Sequence, residues 1–345
     1  MKIHEKYIKR ALQIAKNGLP SAMPNPSVGA VIVHENEIIG EGYTSPYGGA
    51  HAEVHAIRSV HVNRSKLGKD FAKADTEKLL SQSTLYVTLE PCSHHGKTPP
   101  CADLIIKNGI KKVIIGTVDP FAKVAGAGIK KLKDAGIEVV VGVLEAACIA
   151  SNIRFFTFYQ KKRPYIILKW AETQDGFIAP KTRNAQAPVW ITNTYSRQLV
   201  HKWRSEEQAI LVGANTVIAD NPSLTTRSWE GKNPTRIVIS NGMTLDPNMA
   251  IYNDAAPTIT IDSHDITEIC DTLYTEGIQS VLIEGGAKTL QRFIDTNVWD
   301  EARIFKGTTA FKEGTRAPQL SKKFEILSTQ NISNDIVTMY KNTTA

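Results

Sequence analysis

Cysteine is scarce, with four in 345 residues, and Cys148 and Cys270 stand singly in apolar surroundings, so they read as buried free thiols of a reducing compartment. No run of about eighteen apolar residues, the length of a membrane span, occurs. The start, Met1-Lys2-Ile3-His4-Glu5-Lys6, lacks an apolar signal core. A cytoplasmic protein without membrane attachment is expected. Aromatic residues make up only 7% of the chain, many of them inside apolar strands, and the lysines are dispersed along helix faces. Without clustered bases and exposed stacking rings, the net charge of +7 is no nucleic-acid footprint; it suits a solvated surface, or a phosphorylated small substrate. Apolar content of 42% and charged content of 22% exclude disorder on the scale of a domain. No internal repeat is present.

The length favours two domains, each with its own core. Residues 2–17 carry apolar side chains at helical spacing, and Asn17-Gly18 stops the helix. Strands follow at Val28–Val33 and Glu37–Gly40, a helix from His51, and strands at Leu85–Leu89, Lys112–Gly116 and Glu138–Val143. This alternation predicts an α/β layered domain over 1–145. The lysine-rich stretch 61–82 has no strong periodicity and reads as a solvated excursion. Residues 146–164 form a charged connector. A second α/β domain over 165–345 has predicted strands at Tyr165–Ala171, Ala209–Gly213, Arg236–Ser240, Thr258–Asp262 and Ser280–Ile283.

The chemistry lies in a split pattern: His51-Ala52-Glu53, then Pro91-Cys92, then Cys101. One imidazole and two thiolates are a donor set that zinc favours, and three protein ligands leave a fourth position for water. Zinc lowers the pKa of that water to near 7, making hydroxide available for attack at neutral pH. Glu53, two residues from His51 at a helix start, is placed to take the water proton and pass it to a leaving amine. The alternative is a closed structural site with His94 or His95 as fourth ligand, which leaves Glu53 without a use. The loop Val124-Ala125-Gly126-Ala127-Gly128, ahead of a helix, is either a phosphate cradle or a plain turn. Asn25 either closes a turn or holds a base edge.

An H-x-E with a later P-C-x-x-C marks the zinc nucleobase deaminases. Here the two cysteines are separated by eight residues, and this longer form, EPCSHHGKTPPC, resembles that of the bifunctional riboflavin-biosynthesis deaminase-reductases. Three later pieces resemble the reductase half of the same family: Leu168-Lys169-Trp170-Ala171 with Asp175-Gly176; the long stretch Val212 to Arg227; and Glu284-Gly285-Gly286. The resemblance implies a cytidine-deaminase-like three-layer domain followed by a dihydrofolate-reductase-like α/β domain. It implies zinc on His51, Cys92 and Cys101, with Glu53 as proton shuttle. Asn25, Lys97 and Asp119 would hold the base and ribose phosphate of a diaminopyrimidinone ribosylamine phosphate, which becomes an aminouracil. The second domain would then reduce the ribosyl to a ribityl chain with NADPH. Its cofactor would be held by Ala171, Trp190, Thr216, Asp220, Ser240, Gly286, Ala287, Lys288, Thr289, Leu290, Gln291 and Arg292. Arg204, Leu224, Arg227 and Glu284 would bind substrate, with Lys169 and Glu284 assisting the reduction.

Read from the residues alone, Gly285-Gly286 between a strand and a helix allows a pyrophosphate to approach backbone N–H groups. The guanidinium forks of Arg204 and Arg227 match phosphate oxygens. A charged Lys169 in so apolar a strand needs a partner, for which Glu284 is available. By resemblance, Pro188, ahead of Val189-Trp190, stands where the family often has a small polar residue. A homo-oligomer is expected.

Overall fold

The computed structural model describes residues 2–66, 73–95, 99–121, 125–321 and 323–344. The chain forms two compact units, Met1–Lys161 and Lys162–Ala345. No helix among the described residues is long and apolar enough to cross a membrane.

The first unit runs α1 (Lys2–Ala15), β1 (Gly29–His34), β2 (Glu37–Tyr43), α2 (Ala52–Lys66), α3 (Lys73–Ser81), β3 (Thr84–Leu89), α4 (Cys101–Lys107), β4 (Lys112–Thr117), α5 (Ala127–Asp134), β5 (Glu138–Val141), α6 (Glu145–Ser151) and α7 (Ile153–Lys161). Its sheet has the order β2-β1-β3-β4-β5. The hairpin β1–β2 and the pair β1–β3 are antiparallel, while β3, β4 and β5 run parallel. The inner strands are buried on both faces, which is why they read as near-continuous Val, Ile and Leu without alternation. Side chains alternate between two cores. Ala30, Ile32, Leu85, Val87, Val113 and Ile115 face Ala52, Ala56, Val60, Leu80, Ile105 and Leu132 of α2 to α5. Val31, Val33, Tyr86 and Ile114 face Tyr7, Ile8, Ala11 and Ile14 of α1, and Cys148 of α6. Helices on both sides of one sheet make three layers.

Two expectations are corrected here. The stretch 61–82 is not wholly a solvated excursion, because α3 buries Thr76, Leu79 and Leu80, and the last two complete the core under α2. Its residues 67–72 lie outside the described ones. The supposed connector 146–164 is mostly two helices of the first unit: α7 packs Phe155 and Phe156 on Leu89, and Asn152 exchanges hydrogen bonds with the Ser27 backbone at 2.8 and 3.0 Å. Three phenylalanines and a tyrosine between residues 155 and 159 are an apolar burden that a solvated linker would not carry.

The second unit runs β6 (Tyr165–Glu172), β7 (Phe177–Pro180), α8 (Thr194–Glu206), β8 (Ala209–Gly213), α9 (Ala214–Asp220), β9 (Thr235–Ile239), β10 (Thr258–Ile261), α10 (Ile266–Thr275), β11 (Ser280–Gly285), α11 (Ala287–Asp295), β12 (Glu301–Lys306), β13 (Gly314–Arg316), β14 (Phe324–Ile332) and β15 (Asp335–Asn342). Eight strands join in the order β10-β9-β8-β11-β6-β12-β15-β14, and β7 pairs with β13 separately. The first six are parallel; β15 and β14 continue antiparallel. The five strands expected from sequence are present. β7 and the C-terminal strands β12 to β15 were not foreseen. β12 hides behind its charges: Arg303 is buried within it, bonded to Glu301 at 2.6 Å and stacked on Trp203. β14 is largely exposed, so it offers little apolar alternation.

Candidate active sites

In the first unit two helix starts and one strand end meet. His51 immediately precedes α2, Cys101 opens α4, and Cys92 follows β3. Gly42 makes the α2 approach possible, since a Cβ there would stand 2.4 Å from the Ala52 carbonyl oxygen and 2.4 Å from the Ala56 nitrogen. The His51 Nδ1 lies 3.5 Å from the Cys92 Sγ and 3.3 Å from the Cys101 Sγ. Tetrahedral bonds of about 2.3 Å to sulfur and about 2.0 Å to nitrogen require N···S separations of about 3.5 Å. The three residues therefore fit a zinc ion. Among the described residues no fourth His, Cys, Asp or Glu ligand joins this cluster; His94 and His95 are exposed and outside it, which speaks against the closed structural alternative.

The electrostatics are those of a shared-proton cluster. A hydrogen bond from Cys101, with a second from His51 and against the effect of burial, holds Cys92 down to about 4. The same contact and burial drive Cys101 up. The Cys92 bond raises His51 despite burial. Glu53 is 3% exposed, and burial followed by the Cys92 charge pushes it up to about 7, with His51 opposing. A buried carboxyl near neutrality suits proton transfer in both directions.

Asp119 also belongs to this neighbourhood. Burial pushes it up to about 6, the Phe121 N–H opposes, and the charges of Glu90 and Cys92 add to the rise. Asn25 lies in a turn ahead of β1, its backbone N–H bonded to the Ala22 carbonyl. Lys97 lies outside the described residues. The glycine-bearing loop is not a free phosphate cradle. The buried carboxylate of Glu90 accepts from the N–H groups of Gly126 and Gly128 at 2.9 Å each and of Ile129 at 3.1 Å.

The second unit has a cavity of about 840 Å³ at the C-terminal ends of β6, β8 and β11, where open α/β sheets bind ligands. Lys169, Ala171, Trp190, Arg204, Thr216, Asp220, Leu224, Arg227, Glu284, Gly286, Ala287, Lys288, Thr289, Leu290 and Arg292 all line it. Ser240 and Gln291 are outside the lining. Ser240 bonds to Asp262 at 2.9 Å, and Gln291 is taken up by Asp295 and the backbone of Gln319. Thr216 stands against the glycine pair, 3.1 Å from where a Cβ of Gly286 would be. Trp190 is 54% exposed with the Arg197 guanidinium 4.8 Å from its ring centre.

Charge is arranged around Glu284. Arg204 binds it through two hydrogen bonds of 2.7 and 2.8 Å and donates to the Thr225 carbonyl at 3.1 Å. Lys169 Nζ lies 3.6 Å from the same carboxylate. Burial would raise Glu284, but Arg204 and Lys169 outweigh it and hold the group at about 2. Burial lowers Lys169, with Glu284 opposing. Arg204 thus meets protein partners while its side chain also lines the cavity. Arg227 has only the Ser223 hydroxyl at 3.3 Å and no acidic partner among the described residues. Sequence reasoning missed Arg183, which pairs with Asp220, and His201, whose Nδ1 meets the Thr225 carbonyl oxygen at 2.8 Å. Burial and then Arg204 lower His201 to about 4, so it is neutral near pH 7 and donates from Nδ1. Its place three residues before Arg204 on α8, one turn away, was the available signal.

Residues 1–117 match the family described as the cytidine and deoxycytidylate deaminase zinc-binding region, and residues 164–338 match the RibD C-terminal domain. Riboflavin biosynthesis protein RibD of Aquifex aeolicus is 37% identical over 98% of each chain; that of Escherichia coli is 33% identical over 87% of this chain and 86% of its own. Among solved structures, the diaminohydroxyphosphoribosylaminopyrimidine deaminase/5-amino-6-(5-phosphoribosylamino)uracil reductase of Thermotoga maritima is 37% identical with a TM-score of 0.84 over 99% of both chains. Acinetobacter baumannii RibD is 30% identical with a TM-score of 0.85 over 99% of both. The two folds and their sites define a zinc-dependent deaminase and an NADPH-dependent reductase in one chain. It acts on pyrimidine substrate in riboflavin biosynthesis. The chain belongs to the RibD family.

Proposed function

We propose that the first unit deaminates a diaminopyrimidinone ribosylamine phosphate and that the second reduces the ribosyl group of the resulting aminouracil. The observation that carries this reading is the cluster of His51, Cys92 and Cys101 with the buried Glu53 two residues after His51. Zinc, when bound by these three residues, supplies the Lewis acidity that makes hydroxide available near neutral pH. Glu53 accepts the proton of the attacking water and returns it to the exocyclic nitrogen, so that ammonia leaves and a ring carbonyl remains. Asn25, Lys97 and Asp119 orient the base and ribose phosphate.

In the second unit NADPH supplies the hydride. Gly286 to Lys288, at the start of α11, offer N–H groups to its pyrophosphate, Trp190 provides a flat face at the rim, and Thr216 holds the glycine turn. Lys169 and Glu284 orient the sugar carbon that is reduced and balance its charge. Arg227 is the guanidinium for the substrate phosphate, and Arg204 fixes Glu284. The protein works in the cytoplasm as a homo-oligomer.

The test is a pair of steady-state assays on the full chain, ammonia release and NADPH absorbance loss, with elemental analysis for zinc. Glu53→Ala is expected to keep zinc and NADPH consumption on the deaminated substrate while losing ammonia release. Normal ammonia release by this variant removes Glu53 from the chemistry. Light scattering reads the oligomer.

A further inference from the structure

Glu90 is a carboxylate beside the deaminase site to which the reaction above assigns no step, and it is 4% exposed. Its four hydrogen bonds all come from backbone. Oε2 accepts from Asp119 N at 3.3 Å and Gly126 N at 2.9 Å. Oε1 accepts from Gly128 N at 2.9 Å and Ile129 N at 3.1 Å. No basic side chain among the described residues pairs with it. Gly126, the N-cap of α5, brings no side-chain cap, so Glu90, just past the end of β3, satisfies the open N–H groups of that helix and its charge meets the positive end of the dipole.

Asp119 and the start of α5 therefore hang on one carboxylate, two residues before Cys92. The first turn of α5 also packs directly on this corner: a Cβ on Gly128 would stand 2.0 Å from the Pro91 carbonyl oxygen. The carboxyl of Asp119 feels the charge of Cys92. We propose that Glu90 is a positioning residue for the deaminase: by tying Asp119 and the α5 start to the corner that carries Cys92, it sets where Asp119 meets the substrate. The proposal rests on the reading of Asp119 as a substrate contact.

Glutamine has the same shape but only one accepting oxygen, so in Glu90→Gln two of the four N–H groups face an amide that cannot accept. The experiment uses the full-length, zinc-loaded protein and measures ammonia release, zinc content and NADPH consumption on the deaminated substrate. Glu90→Gln is expected to keep zinc and reductase turnover and to raise the deaminase KM about tenfold with kcat changed much less. Asp119→Asn should raise the same KM, and the double variant should be no worse than Asp119→Asn alone, because the two residues act on one contact. An unchanged KM in Glu90→Gln, or effects that multiply in the double variant, overturns the proposal. A normal KM in Asp119→Asn alone sinks the Asp119 reading instead. If Glu90→Gln does not fold, Glu90→Asp keeps the charge on a shorter arm: a raised KM at full zinc content supports the proposal, and a wild-type KM overturns it.

Discussion

Arg204 and Glu284 meet fork to fork, Nε to Oε1 at 2.7 Å and Nη2 to Oε2 at 2.8 Å, with side chains only 11% and 8% exposed. The pair consumes the guanidinium face that would otherwise grip an anion, and it fixes Glu284 beside Lys169. Removing Arg204 leaves the buried Glu284 with Lys169 alone, 3.6 Å away, and losing one partner of a buried pair costs about 3–5 kcal/mol. Arg204→Ala is expected to destabilise the second unit by about that amount and to abolish NADPH consumption. Arg204→Lys should restore little, since an ammonium cannot make both bonds. Denaturant unfolding followed by tryptophan fluorescence reads this unit alone, because all five tryptophans lie beyond residue 161. A stable, fully active Arg204→Lys would show that the fork geometry does not matter.

The same unit should lose stability in acid in two stages. His201 is lowered from 6.5 to about 4, so the unfolded chain takes up a proton first and stability declines as pH falls through 6.5 toward 4. Glu284 is lowered from 4.5 to about 2. Its contribution is full above 4.5 and is lost as pH falls toward 2. The fluorescence midpoint in denaturant should fall between pH 7 and 4, and His201→Gln should flatten this first decline while leaving the second. A midpoint independent of pH between 7 and 4 would contradict the neutral His201.

The zinc cluster was legible because its chemistry restricts residue type and its ligands sit at element ends that the periodicity marks. Glu90 was not. Its partners are backbone N–H groups 29 to 39 residues away, and a backbone donor leaves no mark in the residue letters. Arg204 illustrates a complementary case: its type reads as anion-binding, and one anion it meets is Glu284, 80 residues on, a pairing the residue letters do not mark. The connector expectation for 146–164 gave weight to Gln160-Lys161-Lys162-Arg163 and too little to the aromatic run 155–159 before it. β12 escaped notice because Arg303 and Glu301 neutralise one another inside a strand that therefore looks exposed.

Metal removal should separate the two halves. Dialysis against a strong chelator, or Cys92→Ala, is expected to abolish ammonia release while NADPH consumption on the deaminated substrate continues, because no ligand of the cluster belongs to the second unit. Cys92→Ala should also lower zinc content toward zero. Readdition of zinc should restore the dialysed wild type and leave the variant inactive. Loss of both activities on chelation would mean that the reductase also depends on the metal.

Trp190 gives a test of the cavity rim in which stability is a control. The ring is 54% exposed and its described stacking partner is Arg197, so Trp190→Ala removes little buried surface and should change stability by no more than about 0.5 kcal/mol. A flat indole at the mouth of a dinucleotide cavity contributes to binding through its face, with stacking worth roughly 0.5–1.5 kcal/mol. The expected result is a several-fold higher KM for NADPH, a smaller change in kcat and a normal deaminase rate. Trp190→Phe should recover most of the affinity. If Trp190→Ala binds NADPH as the wild type does, measured by quenching of the remaining tryptophans, the rim is not part of the cofactor site and the nicotinamide dinucleotide must rest on the glycine turn and α11 alone.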